Sequence, residues 1–289
     1  MATESAVAQR LADLRSAMAE RNYAALIVPR ADEYLGEYIP ERNERLRWLT
    51  GFTGSAGAAV VLSERAALFV DGRYTVQVRT QVDGAAFEYH HLLDEPPIDW
   101  LIGQLSDGAR VACDPRLHSY RWYRDARDKL AAAGCQLCAD SNNLIDQCWS
   151  DRPADAPLPA MLLPQQFTGE TSTDKRARIA REITARGCEA ALIFAPDSVS
   201  WLLNVRGMDM PQLPVLLSAA LLYASGELDL LVDPARVPPD LPGHVGAGVS
   251  VHQPQHFTAL IAGLAGKKVL ADPVTANAWM QLALLDAGA

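Results

Sequence analysis

WLTGFTG (Trp48 to Gly54) and WLLNVRG (Trp201 to Gly207) are two versions of one phrase, and the segments around them repeat in the same order. Ahead of the first stand an amphipathic helix over residues 6–21 and the apolar run Ala24-Ala25-Leu26-Ile27-Val28. Ahead of the second stand a helix over 174–186 and the run Ala190-Ala191-Leu192-Ile193-Phe194. After the first come AAVVLSERAALFVDGRY (Ala58 to Tyr74) and GARVACDP (Gly108 to Pro115). After the second come PVLLSAALLYASGELDLLVDPARV (Pro214 to Val237) and GKKVLADP (Gly266 to Pro273). Trp48 and Gly54 each stand 153 residues before their counterparts, while Val111 and Asp114 each stand 158 before theirs. Solenoid repeats run only ~20–50 residues, so a unit this long is a duplicated domain.

Each copy predicts the same elements. Val7, Leu11, Leu14 and Met18 recur at helical spacing, as do Ile179 and Ile183, with Thr173 and Asp174 as candidate caps. The apolar run that follows is short and stops at Pro29 or Pro196, as a buried strand does. Hairpins are expected around the connectors Ser63-Glu64-Arg65 and Ala224-Ser225-Gly226. A further strand, over 110–113 or 268–271, leads through Asp-Pro into a second helix. Hairpins and crossovers together imply an α/β class in which helices flank a mixed sheet. The prolines at 153, 157, 159 and 164 mark an extended, semi-rigid linker. We place the first domain at residues 1–155 and the second at 156–289. After Gly134 the first copy continues through CQLCAD and SNNLIDQCW, whereas the second stops at Ala289. The second domain is therefore expected to be truncated, with the natural protein continuing.

Composition narrows the function. A net charge of −9 argues against a nucleic-acid partner, and the four lysines (129, 175, 267, 268) form no polybasic stretch for an anionic membrane. No apolar run reaches the ~20 residues of a membrane span, and the first residues lack a secretory layout. A cytoplasmic protein is expected. The five cysteines build no even disulfide framework. Cys135 and Cys138 invite a zinc reading, but on a strand they face opposite ways and no second pair completes four ligands.

No catalytic constellation emerges. Pro254 separates His252 from His256, and His90 and His91 point apart if extended. Gly51, Gly54 and Gly57 fit neither a dinucleotide nor a phosphate loop, and Ser55 lacks the glycine a nucleophile elbow needs. A tight turn with backbone close to backbone accounts for them. Asp71-Gly72-Arg73-Tyr74 is different. It reads as an Asp-Gly turn in which glycine supplies positive φ and an arginine fork projects outward. The competing reading is a surface arginine paired with a nearby acid.

The set Gly36-Glu37-Tyr38-Ile39, WLTGFTGSAGAAVV and FVDGRYTVQ closely resembles the first domain of the three-domain cytosolic Xaa-Pro aminopeptidases. APDSVSWLLNVRGMDMPQLPVLLSAALL resembles their second domain, through Trp201-Leu202, Asn204, Arg206-Gly207, Asp209, Pro211 and Pro214-Val215. The resemblance runs the length of the chain. It implies two tandem creatinase-like N-terminal domains of ribonuclease-H-like form, belonging to an enzyme that removes the residue before a proline in second position. It also implies a separate catalytic domain holding two metal ions, usually manganese, on two Asp, one His and two Glu. That domain is not in this chain, so no residue here takes a catalytic or metal-ligand role. The one contact that carries over is the arginine of the D-G-R-Y turn, Arg73, as a substrate-binding residue. Arg73 is accordingly expected to be exposed at a rim and unpaired. The chain would then be a non-catalytic part that shapes the cleft for short peptides and supports a homodimer. The alternative is a stand-alone creatinase-like interaction module without peptidase activity.

Overall fold

The computed structural model describes residues 2–210 and 212–289. They form two compact units. The first comprises the chain up to Asp32 together with Glu41–Ala154, and the second comprises Glu33–Pro40 and Asp155–Ala289.

The first unit contains β1 (Ala25–Pro29), β2 (Gly57–Leu62), β3 (Ala66–Val70), β4 (Glu88–His91), β5 (Arg110–Cys113) and β6 (Gln136–Ala139). They lie in the order β4-β3-β2-β1-β5-β6. β1, β2 and β3 pair antiparallel, and β4, β5 and β6 join as parallel strands. Pairing Leu26 with Val61 sends alternate residues to opposite faces. Leu26, Val28, Val61, Leu68 and Val70 meet Val7, Leu11, Leu14 and Met18 of the first helix, Ala2–Glu20. Ile27, Val60 and Phe69 are buried on the other face. A strand buried on both sides reads as a continuous apolar run, which is why Ala25–Val28 shows no polar alternation.

The second unit contains β7 (Met161–Leu162), β8 (Ala190–Ile193), β9 (Val205–Arg206), β10 (Ser218–Tyr223), β11 (Leu228–Val232), β12 (Val249–His252) and β13 (Val269–Ala271). Its main sheet runs β12-β11-β10-β8-β13, the order of the first unit without the last strand. Leu26 and Leu192 thus occupy equivalent strands, and Asp114-Pro115 and Asp272-Pro273 both follow the strand parallel to them. Ala191, Ala220, Leu222 and Leu230 pack on Ile183, Val199 and Leu202. Leu192, Ala219, Leu221 and Leu231 pack on Phe257, Ile261, Leu264 and Met280. Tyr34 joins this second face, stacked on Phe194 at 6.0 Å, and Asn277 Nδ2 donates to the carbonyl of Glu33 at 2.9 Å.

Two local expectations need correction. The helix Ser172–Ala185 is capped by Thr171, not by Thr173. Thr171 accepts from the amide of Asp174 and donates to its carboxylate at 2.7 Å, a reciprocal pairing that sets the cap two residues earlier. The proline-rich linker is extended but ends in structure. Met161–Leu162 pairs with Val205–Arg206 as a two-stranded ribbon, and Ala160 donates to the carbonyl of Arg236.

His118 carries a consequence for stability. It is buried, stacks on Trp122 at 3.7 Å, and its Nε2 has no hydrogen-bond partner among the described residues. Burial pushes its pKa down to about 3. The unfolded chain takes up that proton near the ordinary value of about 6.5. Its contribution is therefore complete above pH ~6.5 and declines as pH falls from there towards 3, where the loss is complete. At pH 5 the loss is about 2 kcal/mol. Urea unfolding at pH 7.5 and pH 5 should show this difference shrinking in His118→Phe, which keeps a ring against Trp122. An unchanged difference would remove His118 as its source.

Candidate functional site

The Asp71–Tyr74 turn is built by a carboxylate rather than by a glycine. Gly72 does not have positive φ, contrary to the Asp-Gly reading, and Gly72–Tyr74 forms a short 3-10 turn. Asp71 organises it by accepting from the backbone amide of Arg73 at 2.9 Å. The same carboxylate accepts from Arg73 Nε at 3.2 Å and from Nη2 at 2.7 Å. Arg73 is thus exposed, at 62% of its side chain, but ion-paired, and the expectation of an unpaired guanidinium fails. The reason is short range: an aspartate two residues earlier caps the turn and meets the fork in the same act. The hydrogen bond from Arg73 holds the Asp71 carboxyl below its ordinary pKa. So exposed a pair contributes little stability.

The turn is nevertheless anchored on rigid parts. The Arg73 guanidinium lies 5.1 Å from the centre of the Tyr74 ring, and Tyr74 meets Phe52 edge-on at 5.5 Å. Tyr74 Oη and Ser55 Oγ are 2.7 Å apart, and the Ser55 hydroxyl lowers the phenol's pKa. Phe52 and Ser55 come from the WLTGFTGS segment, so this stretch supports the turn. Gly54 is needed because a Cβ there would lie 2.2 Å from Phe52 Cζ and 2.9 Å from Tyr74 Cδ1. The close neighbour is an aromatic ring, not backbone. Backbone approach holds at Gly57, where a Cβ would meet the carbonyl of Phe69 at 3.1 Å. Gly51 has a third role, ending the helix Arg45–Thr50 with φ +80°.

The second copy uses the same scaffold with different side chains. Asn204, the counterpart of Gly51, is also left-handed at φ +55° and closes the helix Pro196–Leu203. Its side chain accepts from Lys175 Nζ at 2.6 Å and donates to the carbonyl of Glu170 at 2.8 Å. Lys175 is buried, and that burial lowers its pKa. Gly207, the counterpart of Gly54, abuts backbone: a Cβ would lie 1.9 Å from the carbonyl oxygen of Val215. Asp209 accepts from Arg236 Nε at 2.6 Å and from the amide of Leu158 at 2.7 Å. Most of the distinctive letters of this motif therefore have structural work. The 153-residue offset could have identified Asn204 as a cap from sequence, since it aligns with a glycine.

Chemistry of other kinds finds little support in the side chains. Among the described residues no three His, Cys, Asp or Glu side chains are grouped to hold a metal ion. His90 pairs with Glu95, His91 with Asp94, and His252 with Asp229. A cavity of about 10 Å³ at the ends of β1 and β5, lined by Asp114, Asp140 and Asn143, has room for about one water rather than a substrate. No helix among the described residues is long and apolar enough to cross a membrane.

Comparison with known proteins agrees with the architecture. Two models of the creatinase/prolidase N-terminal domain match residues 10–148 and 151–289. A probable Xaa-Pro aminopeptidase P from Ajellomyces capsulatus (strain H143) is 32% identical over 246 residues, covering 84% of this chain and 38% of that protein. Xaa-Pro aminopeptidase 2 of Rattus norvegicus is 35% identical over 231 residues, covering 78% and 34%. The crystal structure of X-prolyl aminopeptidase from Caenorhabditis elegans superposes with a TM-score of 0.83 at 29% identity, covering 89% of this chain and 44% of that one. That protein is described as a cytosolic enzyme with a di-nuclear active site. The chain spans about two fifths of the length of such relatives. It belongs to the creatinase/prolidase N-terminal domain family, carries two such domains in tandem, and is homologous to part of the Xaa-Pro aminopeptidases.

Proposed function

We propose that this chain is the non-catalytic N-terminal region of an Xaa-Pro aminopeptidase, acting on peptides with proline in second position. In this reading it narrows the substrate cleft of a separate catalytic domain and supports a cytoplasmic homodimer. The supporting observation is the pair of family domains together with the aminopeptidase relatives that extend well beyond them. Two divalent ions, manganese in this proposal, belong to the catalytic domain and would activate the attacking water there. Arg73 is the substrate contact. Its planar fork suits a peptide carbonyl or carboxylate, and Asp71 presets its orientation on a turn braced by Tyr74.

The test uses the protein joined to its catalytic domain. Arg73→Ala should lower kcat/KM on an X-Pro peptide by roughly ten- to a hundredfold, the equivalent of losing one charge-assisted hydrogen bond of ~1.5–3 kcal/mol. Melting temperature should stay nearly constant, because the Asp71 pair is exposed. Arg73→Lys should restore part of the loss, since an ammonium cannot reproduce the fork. Parental turnover in Arg73→Ala, or a melting point many degrees lower, would return Arg73 to a structural role. The 289-residue chain alone should leave the same peptide uncut.

A further inference from the structure

Tyr74 brings a hydroxyl to the same turn as Arg73, and its surroundings fix that hydroxyl on one side only. The ring meets Phe52 edge-on at 5.5 Å, and its Cδ1 would stand 2.9 Å from a Cβ on Gly54. It has little room to swing, so Oη stays where Ser55 holds it. Ser55 Oγ lies 2.7 Å away, and among the described residues Ser55 is the phenol's one hydrogen-bond partner.

Which hydroxyl donates follows from electrostatics. Ser55 lowers the phenol's pKa, first through its hydroxyl and then through its backbone amide. Both must donate to the phenol oxygen, because a bond accepted by that oxygen is what favours the phenolate. Tyr74 Oη therefore accepts from Ser55, and its own proton is directed elsewhere. Nothing among the described residues accepts that proton. It is left to water or to a ligand.

Arg73 stands beside it. The guanidinium lies 5.1 Å from the centre of the same ring and is closed on Asp71 at 2.7 Å. That closure decides what kind of group the turn can bind. Asp71 already neutralises Arg73, so a second carboxylate would have to share the fork and face the Asp71 charge. A main-chain carbonyl meets no such repulsion, and its two lone pairs can take one bond from each donor.

We propose that Tyr74 is a second substrate contact of this turn, its hydroxyl donating together with Arg73 to one uncharged main-chain carbonyl of the bound peptide. This rests on the reading that the Arg73 turn meets substrate, and it narrows the ligand from carbonyl or carboxylate to carbonyl. The donor exists only while the phenol is protonated, so the contact is present below the phenol's pKa and lost above it. Ser55 brings that loss to lower pH, with Arg73 adding to the effect and burial and Asp71 opposing it. From the end of β4, His91 faces Asp71 and is paired with Asp94.

The test uses the protein joined to its catalytic domain, with alanyl-prolyl-alanine and its C-terminal amide as substrates. Tyr74→Phe keeps the ring and should lower kcat/KM roughly three- to tenfold on both peptides, the worth of one neutral hydrogen bond. The loss should fall on KM, with kcat nearly unchanged. Ser55→Ala breaks the same Ser55–Tyr74 bond but spares the phenol, so it should cost less. The alkaline fall in kcat/KM should move to higher pH in Ser55→Ala, and the part due to the phenol should vanish in Tyr74→Phe. Ultraviolet titration of the 289-residue chain follows the same group without any activity. One tyrosine should ionise below the rest, at higher pH in Ser55→Ala and not at all in Tyr74→Phe.

Equal losses in Tyr74→Phe and Ser55→Ala would make the bond, not the donor, the source, and would overturn the proposal. A loss confined to the free acid would overturn it too, because the ligand would then be a carboxylate. If Arg73→Ala impairs turnover and Tyr74→Phe does not, the proposal fails while the Arg73 contact stands. If neither impairs it, the reading of the turn as a substrate site fails as well.

Discussion

Gly207→Ala should destabilise the second unit by about 3 kcal/mol or more, the upper end of what an added methyl costs in a packed interior. The new Cβ would stand 1.9 Å from the carbonyl oxygen of Val215, 2.4 Å from its carbon and 2.8 Å from the nitrogen of Leu216. All three are backbone atoms, and they have nowhere convenient to go. The Leu216 amide donates to the buried Ser200 hydroxyl at 2.9 Å, and the Val215 amide donates to Leu213 at 2.8 Å. Moving the Val215–Leu216 segment away would break a buried hydrogen bond; moving Gly207 would disturb the ribbon of Val205–Arg206 with Met161–Leu162. Calorimetry should show a transition lowered by roughly 10 °C. Gly54→Ala, at the equivalent position, should cost less, because its closest contacts are rings of Phe52 and Tyr74 that can tilt. Gly243→Ala is the control: nothing lies within 4 Å, and alanine favours the short helix Leu241–Val245. Gly207→Ala melting together with Gly243→Ala would refute the close-approach account.

That contrast also explains how far the sequence could be read. The strands and first helices are legible because burial imposes a pattern: helical spacing as in Val7–Met18 and a continuous apolar run as in Ala25–Val28 recur in both copies. The hairpin connector Ser63-Glu64-Arg65 falls where expected, between β2 and β3. What escapes is pairing between residues distant in the chain. Arg45 is buried against Asp146, 101 positions away, and nothing local to either residue announces it. The Asp71-Gly72 turn fails for the opposite reason. The dipeptide suggests positive φ, but an aspartate cap on the Arg73 amide yields a 3-10 turn in which the glycine needs no special conformation. Of the candidate site, the exposure of Arg73 was legible. Its ion pair was legible only as the competing reading of a surface arginine beside an acid, because a neighbour at two residues is as compatible with a free fork as with a closed one.

Arg236→Ala is expected to cost about 3–5 kcal/mol, the range for breaking one side of a buried ion pair. Arg236 is buried and holds three carboxylates: Asp209 at 2.6 Å, Asp155 at 3.1 Å and Asp233 at 3.4 Å. Burial alone would lower the guanidinium's pKa, but the carboxylates outweigh it and raise it. Alanine would leave Asp209, itself 7% exposed, with the Leu158 amide as its hydrogen-bond donor and no cation beside it. The penalty is the unpaired buried charge, not the net worth of the pair. That distinction gives a decisive experiment. Asp209→Asn with Arg236→Met removes both charges while keeping an acceptor for Leu158 and filling the arginine's volume. The double variant should recover most of the loss, since an apolar replacement of a buried pair is often neutral. Urea unfolding of the two single variants and the double variant measures the coupling directly. If the double variant is as unstable as the sum of the singles, the two residues do not act as a pair. Asp209 would then need another reason to stand in the motif. If it recovers, the Asp of the Arg-Gly-x-Asp element is a structural tie between the linker at Asp155–Leu158 and the core of its own unit.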